Sequence, residues 1–302
     1  MTTDKHIHST QDTLSPGGSF VCAGPSGRVV APSPSPPADP ARRLAWLAEH
    51  YWDSFDWNDV RWITETSALE GAFMFWADLL GRISETDAAR LSGALLHKVD
   101  SHPDIQLLLL DAAGYFWQHP GSMFRNEKLL IPMLEAAIAA PGIGDIHKAH
   151  LRARLASALR NRPGTRAADF TYTTGNGSHG TLHGFRAGYT LLMFYNPGCP
   201  ECGRIEEYIP SSEVFAPLIA SGRLKVLAVY PGEDIEAWRE HLAQMPAGWT
   251  VGHAPMGKDG TAAYDLPGIP AFYLLDRDKT VLVKYRPVDV IEQWLTQHAD
   301  GK

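Results

Sequence analysis

Cysteine is scarce in this chain of 302 residues, which contains three, at positions 22, 199 and 202. Cys199 and Cys202 have the spacing of one half of a structural zinc site. The other half needs two more cysteines or histidines at matching spacing, and the sequence has no second pair. His179 and His183 lie closest upstream, but in a turn rich in glycine and serine and at the start of a strand. The scarcity of cysteine disfavours a structural zinc site. That site stays an alternative, as does a pair of buried cysteines without a redox role.

Positive charge and long apolar runs are scarce as well. The formal net charge of −7 argues against a nucleic-acid partner. No apolar run approaches the roughly 18 residues that cross a bilayer, so the sequence predicts no membrane span. One local cluster of arginines is interpreted as a solvated helix face, because no basic stripe continues it: Arg152, Arg154, Arg160, Arg162 and Arg166.

The first residues also lack the pattern of a signal peptide. A basic start followed by an apolar stretch of roughly 7–15 residues does not appear before Cys22. We interpret Cys22 as an incidental thiol in a tail, since the residues before it lack the apolar segment of a lipid-attachment site. The cytoplasm therefore stays open as a compartment.

Composition divides the chain into three parts. Residues 1–40 are rich in proline, serine and glycine, which predicts a disordered leader without a core. Residues 41–165 have helical periodicity, which predicts a domain of five or six helices without strands. Residues 166–302 alternate between strand and helix patterns. The aromatic residues of the middle part predict a helical-bundle core, with Trp46, Trp52, Trp57, Trp62, Trp76 and Trp117 as its main members.

The motif Cys199-Pro200-Glu201-Cys202 follows an apolar run over residues 189–195, which predicts a buried strand that ends at Tyr195. Cysteines at this spacing can form a disulfide across one helical turn. The free N–H groups of a helix start favour negative charge on the sulfur of Cys199, and Pro200 fits the first helical position. Cys199 is therefore the predicted nucleophile and Cys202 the predicted resolving thiol.

The elements after the motif determine the expected fold. A proline at position 210 predicts a break in the helix that follows Cys202, with Ser211 or Ser212 as the cap of the next helix. The expected order is βαβα, then a β-hairpin, then a helix. The remaining elements are predicted as a strand at 224–230, a helix at 234–242, strands at 270–276 and 281–285, and a helix from 288 to about 298.

With these motifs, residues 166–302 resemble the thioredoxin-fold thiol–disulfide oxidoreductases of the TlpA/ResA-like group. The resemblance depends on Cys199 and Cys202 at a strand-to-helix turn and on Ile269-Pro270, which matches the cis-proline loop of that group. It implies an α/β thioredoxin fold, a mixed central sheet flanked by helices, after an all-α helical domain. That domain resembles N-terminal domains of envelope proteins that have no assigned activity.

The resemblance also implies a function. Cys199, Cys202 and Pro270 would form the active site of a thiol–disulfide oxidoreductase that uses its own dithiol and no bound cofactor. Its partners would be protein thiols or disulfides and an unidentified electron donor, and its compartment the periplasm or cell envelope. Four neighbouring residues are predicted to modulate the pair: Pro200, Glu201, Ile269 and Tyr195.

The sequence departs from the group at two positions. Gly198 stands where a tryptophan is usual, and Met193 takes the place of the buried carboxylate that assists proton transfer in thioredoxin. Glu201 is expected to oppose ionisation of Cys199 by like charge, and Ile269 resembles the reducing members, so we expect a reductase.

Two other functions stay open. One is a non-enzymatic envelope interaction module on a thioredoxin scaffold. The other is a thiol peroxidase of the same fold, although Leu192 and Asn196 occupy the Pro and Thr/Ser places of the usual peroxidase motif.

Overall fold

The computed structural model describes residues 37–119, 121–257, 261–266 and 268–299. Cys22 and nearly all of the predicted leader lie outside the described residues. The chain divides into two compact units between Ala112 and Ala113.

Helices form the described part of the first unit. The fourth helix begins with a side-chain cap, because the Ser84 hydroxyl accepts a hydrogen bond from the Asp87 N–H at 3.1 Å. The helix that begins at Pro103 is α-helical as far as Ala113. The helices are α1 (Pro40–His50), α2 (Arg61–Thr64), α3 (Thr66–Leu80), α4 (Glu85–Lys98) and α5 (Pro103–Ala113).

Aromatic side chains form the core of this unit. Trp52, Trp62 and Trp76 are at most 2% exposed, and the indole N–H of Trp76 donates to the carbonyl of Ala48 in α1 at 2.9 Å. Trp46 and Trp57 are half-buried. The predicted aromatic core is thus confirmed for Trp52, Trp62 and Trp76, with Trp46 and Trp57 at its periphery. Trp117, which was predicted to belong to it, is buried in the second unit instead.

The second unit begins with a π-helical turn (Gly114–Gln118) and two further helices, followed by three strands and then by a mixture of helices and strands. From residue 189 onward its order confirms the predicted βαβα, hairpin and helix, with one further strand at 250–253 before the hairpin. The elements are α6 (Glu127–Ala139), α7 (Asp145–Leu159), β1 (Thr171–Thr174), β2 (His179–Thr181), β3 (Tyr189–Phe194), α8 (Pro200–Ser211), α9 (Phe215–Ala220), β4 (Leu224–Tyr230), α10 (Ile235–His241), β5 (Thr250–His253), β6 (Ala271–Leu275), β7 (Val281–Lys284) and α11 (Val288–His298).

The mixed sheet of this unit has the strand order β2-β1-β5-β4-β3-β6-β7. β3 is central, parallel to β4 and antiparallel to β6. Leu191 and Met193 point into one core cluster, while Leu192 and Phe194 point into the cluster on the opposite face. Burial on both faces explains why the sequence of β3 is continuously apolar rather than alternating.

The α8 helix includes Pro210 in its last turn and ends at Ser211. The helix therefore ends one residue after Pro210, whereas the sequence predicts a break at Pro210. The next helix, α9, begins at Phe215 with Val214 as its N-cap residue, so the predicted cap at Ser211 or Ser212 is wrong, although the Ser212 hydroxyl accepts from the N–H groups of Val214 and Phe215 at 3.0 and 2.9 Å.

A buried charged contact joins α6 and α7 to the edge of the sheet. The ammonium of Lys284 on β7 donates to the Glu127 carboxylate at 2.8 Å and to the Arg160 carbonyl at 2.7 Å. Burial lowers the pKa of Lys284, while the charge of Glu127 acts in the opposite direction. The guanidinium of Arg125 lies 4.9 Å from the ring centre of Tyr285. These contacts fix α6 and α7 against the same unit that contains the cysteine motif.

Candidate active site

The turn between β3 and α8 presents Cys199 at the start of a helix. Cys199 is the N-cap residue of α8, Pro200 occupies its first position, and the Cys199 N–H donates to the Asn196 carbonyl at 3.1 Å. Gly198 has a φ of +74°, a left-handed conformation that favours glycine. A tryptophan, which is usual at this place in the TlpA/ResA-like group, would therefore be strained here.

The two sulfurs differ in their surroundings. Both cysteines are free thiols, and the N–H of Cys202 donates to the Cys199 sulfur at 3.4 Å. Cys199 is half-buried, whereas Cys202 is 1% exposed. Burial, followed by the hydrogen bond with Cys199, raises the pKa of the Cys202 thiol to about 12. Of these two thiols, Cys199 is therefore the one that a macromolecule can reach.

The second predicted motif lies at the same end of the sheet. The Ile269–Pro270 peptide bond is cis, as the resemblance implies. The β3–β6 register pairs Phe194 with Ala271, so Pro270 lies at the end of the sheet from which β3 continues toward Cys199. Ile269 and Cys199 also pack against the same core cluster. The structure thus brings the CPEC motif and the cis-proline loop together at one end of the sheet.

Glu201 has a partner that the sequence analysis did not consider. Its exposed carboxylate forms an ion pair with the guanidinium of Arg204, one turn further along α8. A cation beside the carboxylate offsets the like-charge effect that Glu201 alone would have on the Cys199 sulfur.

A groove of about 640 Å³ opens beside Cys199 and is lined by residues of α8 and α10. Within it, both carboxylate oxygens of Glu206 lie 3.2–3.3 Å from the Nε2 atom of His241. Their side chains are 7% and 12% exposed. Sequence reasoning did not identify this pair. Helical spacing could have indicated Glu206, which is four residues after Cys202, but no local signal points to His241.

Tyr195 and Met193 belong to the core cluster beneath the motif on the β3 side. Tyr195 is fully buried, and its ring centre lies 5.7 Å from that of His241. Burial, and then the charge of Glu206, raises the pKa of Tyr195 well above its ordinary value. Met193 belongs to the same core cluster as Cys202. An apolar side chain therefore occupies the place on β3 where thioredoxin has a carboxylate.

Two features are absent from the described ranges. Among those residues, no group of three or more histidine, cysteine, aspartate or glutamate side chains could hold a metal ion. No helix in the same part of the chain is long and apolar enough to cross a membrane.

Comparisons with known proteins agree with this architecture. A family model for a domain of unknown function, DUF5106, matches residues 9–161. A crystal structure of a thioredoxin-like protein from Bacteroides caccae is 34% identical, with a TM-score of 0.82, over 88% of this chain and 97% of that one. The chain therefore belongs to the DUF5106 family and to the thioredoxin-like proteins.

Two other solved structures match the C-terminal part of the chain. The C-terminal domain of an uncharacterized protein from Bacteroides fragilis is 40% identical over 45% of this chain and 98% of that one, with a TM-score of 0.42. A putative thiol:disulfide interchange protein DsbE from Chlorobium tepidum is 27% identical over 45% and 94%, with a TM-score of 0.38. Comparison with curated proteins gives no match.

Proposed function

We propose that the protein is a thiol–disulfide oxidoreductase that reduces disulfides of protein substrates through Cys199 and Cys202. The observation that carries the proposal is the asymmetry of the two thiols. Cys199 caps a helix and borders an open groove, while Cys202 lies beneath it with 1% of its surface exposed. A nucleophile that substrate can reach and a resolving thiol that it cannot reach are what a two-step exchange requires.

In the first step the Cys199 thiolate attacks one sulfur of the substrate disulfide. A bond forms between Cys199 and that sulfur, and the other substrate sulfur leaves as a thiolate. In the second step Cys202 loses its proton and attacks the Cys199 sulfur, which releases the second substrate thiolate. Two electrons pass to the substrate, and the protein keeps a Cys199–Cys202 disulfide. The dithiol carries the electrons itself, so the proposal needs no bound cofactor.

The proposed direction and surroundings of the reaction follow the family resemblance. Ile269 before the cis Pro270 resembles the reducing members of the group. An unidentified donor would restore the dithiol, and the cell envelope or periplasm is the proposed compartment. Fusion to alkaline phosphatase, which is active only after export, would test that compartment, and a fusion that stays inactive would contradict it.

Cysteine variants test the exchange. Reduced Cys199→Ser protein should not react with a disulfide-containing protein substrate, whereas Cys202→Ser protein should accumulate a stable mixed disulfide. Mass spectrometry of acid-quenched samples distinguishes the two results, and Cys22→Ser in every variant removes the remaining thiol. Trapping through Cys202 in the Cys199→Ser protein would reverse the roles of the two cysteines. A wild-type protein that reduces no disulfide would overturn the proposal.

A glutathione redox titration tests the direction. A reductase should have a reduction potential close to that of thioredoxin, about −270 mV. A potential close to that of the oxidant DsbA, about −120 mV, would instead favour disulfide formation in the substrate.

A further inference from the structure

The proposed exchange leaves the proton of Cys202 without an acceptor. Cys202 must become a thiolate before it can attack the mixed disulfide, and burial disfavours its charge. Met193, at the place on β3 where a carboxylate could accept the proton, is apolar and fully buried. An acceptor within reach of Cys202 therefore has to come from another element.

We propose that the Glu206–His241 pair accepts the Cys202 proton during resolution and returns it to the departing substrate thiolate. This inference rests on the proposed function and names the proton acceptor of its second step. Glu206 is the group placed next to Cys202, and His241 is the positioning residue that holds its carboxylate.

The location of Glu206 on α8 carries the first part of the argument. Residues four apart on a helix lie on one face with Cβ atoms about 5–6 Å apart, so the Glu206 carboxylate extends alongside the Cys202 side chain. The charge of Glu206 also acts on the Cys202 thiol. Glu206 lines the groove beside Cys199, where the leaving sulfur of a substrate would emerge. One carboxylate is therefore near both the origin and the destination of the proton.

His241 holds the Glu206 carboxylate in place beside the groove. A carboxylate that is 7% exposed is costly unless it is hydrogen-bonded, and Nε2 of His241 lies within 3.3 Å of both of its oxygens. The imidazole can donate to the carboxylate when Glu206 is ionised. The histidine is itself 12% exposed and lines the same groove, so protons of the pair can exchange with solvent there.

Other titratable groups face this pair from the elements packed around it. On α8 these are Cys199, Cys202 and Glu207, and on α10 Glu240. From the sheet, Tyr195 on the β3 side lies against His241, and Tyr230 at the end of β4 lies against Tyr195. Burial raises the pKa of Tyr195, so this phenol stays protonated near neutral pH and does not compete for the Cys202 proton.

The step balances without another reactant. The Cys202 S–H bond breaks and its proton moves to the Glu206 carboxylate. The Cys202 sulfur then bonds to the Cys199 sulfur, the bond between Cys199 and the substrate breaks, and the substrate leaves as a thiolate that takes the proton from Glu206. The pair ends in its initial protonation state.

Glu206→Gln tests the assignment, with Glu207→Gln as its matched control. Glu207 is the next residue on the same helix, lines the same groove and is exposed. Reduced protein is mixed with a peptide disulfide, and the mixed disulfide at Cys199 is followed by rapid acid quench and mass spectrometry. Glu206→Gln should form the intermediate at the wild-type rate and resolve it about 100-fold more slowly at pH 7, the usual scale of a lost general base. In Glu207→Gln the ratio of the resolution rate to the formation rate should equal that of the wild type.

The pH profile separates proton transfer from a structural effect. Resolution in Glu206→Gln should rise about tenfold per pH unit as hydroxide replaces the missing base, so the difference from the wild type narrows at high pH. Glu206→Asp should restore part of the rate at neutral pH. Equal slowing of formation and resolution, or a constant ratio of rates at all pH values, would overturn the proposal.

The same measurements separate this inference from the function on which it rests. A wild-type protein that forms no mixed disulfide contradicts the proposed function. A wild-type protein that resolves the intermediate no faster than Glu206→Gln overturns the inference alone. His241→Gln should slow resolution severalfold, since the amide can still hold the carboxylate, and an unchanged rate would overturn the part assigned to His241.

Discussion

Two buried charged pairs of the second unit differ in their surroundings. Lys284 and Glu127 meet where α6 packs on the edge of the sheet, and their side chains are 4% and 12% exposed. Glu206 and His241 are buried to a similar degree, but they line an open groove beside a thiol. Two carboxylates at similar depth therefore have different surroundings. Glu127 lies in a closed contact with Lys284, whereas Glu206 lies with His241 beside an open groove.

The partners at the closed contact are fully used. The Lys284 ammonium bonds the Arg160 carbonyl as well as Glu127, and Glu127 also pairs with Arg125 at 2.9 Å. Such a site resists proton transfer, because each charge is held by more than one partner. At the groove the Glu206 carboxylate bonds His241 and has a cavity beside it. Access to solvent, rather than burial alone, therefore distinguishes the structural pair Lys284–Glu127 from the pair Glu206–His241, which we propose transfers a proton.

The largest effect is expected at the closed contact. Lys284→Met should lower the free energy of unfolding by about 3 kcal/mol, because it removes one member of a buried pair while Glu127 stays partly buried. Glu127 keeps its bond to Arg125, which limits the cost to the lower end of the usual range. Urea unfolding followed by tryptophan fluorescence measures the loss.

Lys225→Met is the matched control for this prediction. Lys225 is also on a strand of the same sheet, but it is exposed, so its replacement should change the free energy of unfolding by about 0.5 kcal/mol or less. Both variants should resolve a mixed disulfide at the wild-type rate. Equal losses of stability in the two variants would mean that the buried pair contributes no more than a surface lysine.

The sequence predicts the parts of this molecule that depend on local chemistry. β4 and α11 have the expected bounds, because a continuous apolar run and a strongly amphipathic helix leave little choice of structure. Cys199 and Pro200 take the expected cap and first positions for the same reason. By contrast, the four-residue α2 was not expected, since it is too short to show a helical period.

The two residues of each buried charged pair are far apart in the sequence. Glu206 and His241 are 35 residues apart, and Lys284 and Glu127 are 157 apart. Nothing in the local pattern of one residue specifies its partner on another element, so the folded sheet and its helices are needed to bring them together. Arg204 was within local reach of Glu201, by contrast, and helical spacing alone predicts that ion pair.

An intermediate effect is expected where the backbone shapes the groove. Gly198→Ala should cost about 1–2 kcal/mol of stability, because an alanine at a φ of +74° is strained although open space surrounds the position. Gly203→Ala is the control, since it also has open space but lies inside α8, where alanine should stabilise by up to about 1 kcal/mol. Thermal unfolding measures both changes. A loss of equal size at the two positions would show that the added methyl group, and not the left-handed turn, is responsible.

The smallest effect is expected at the exposed ion pair, which completes the comparison with the two buried ones. Glu201 and Arg204 are 47% and 74% exposed, and such surface pairs contribute about 1 kcal/mol or less. Glu201→Gln leaves the cation near Cys199 and stabilises the thiolate of the reduced form. Arg204→Gln leaves the anion and has the opposite effect.

The reduction potential should therefore move in opposite directions in the two variants. Since 1.4 kcal/mol corresponds to about 30 mV for a two-electron couple, we expect a shift of about 20 mV or less in each. The potential should become less negative in Glu201→Gln and more negative in Arg204→Gln, as measured by titration against glutathione. Shifts of the same sign would show that charge at these positions does not set the potential, and shifts above about 60 mV would mean that solvent screens this pair far less than its exposure implies.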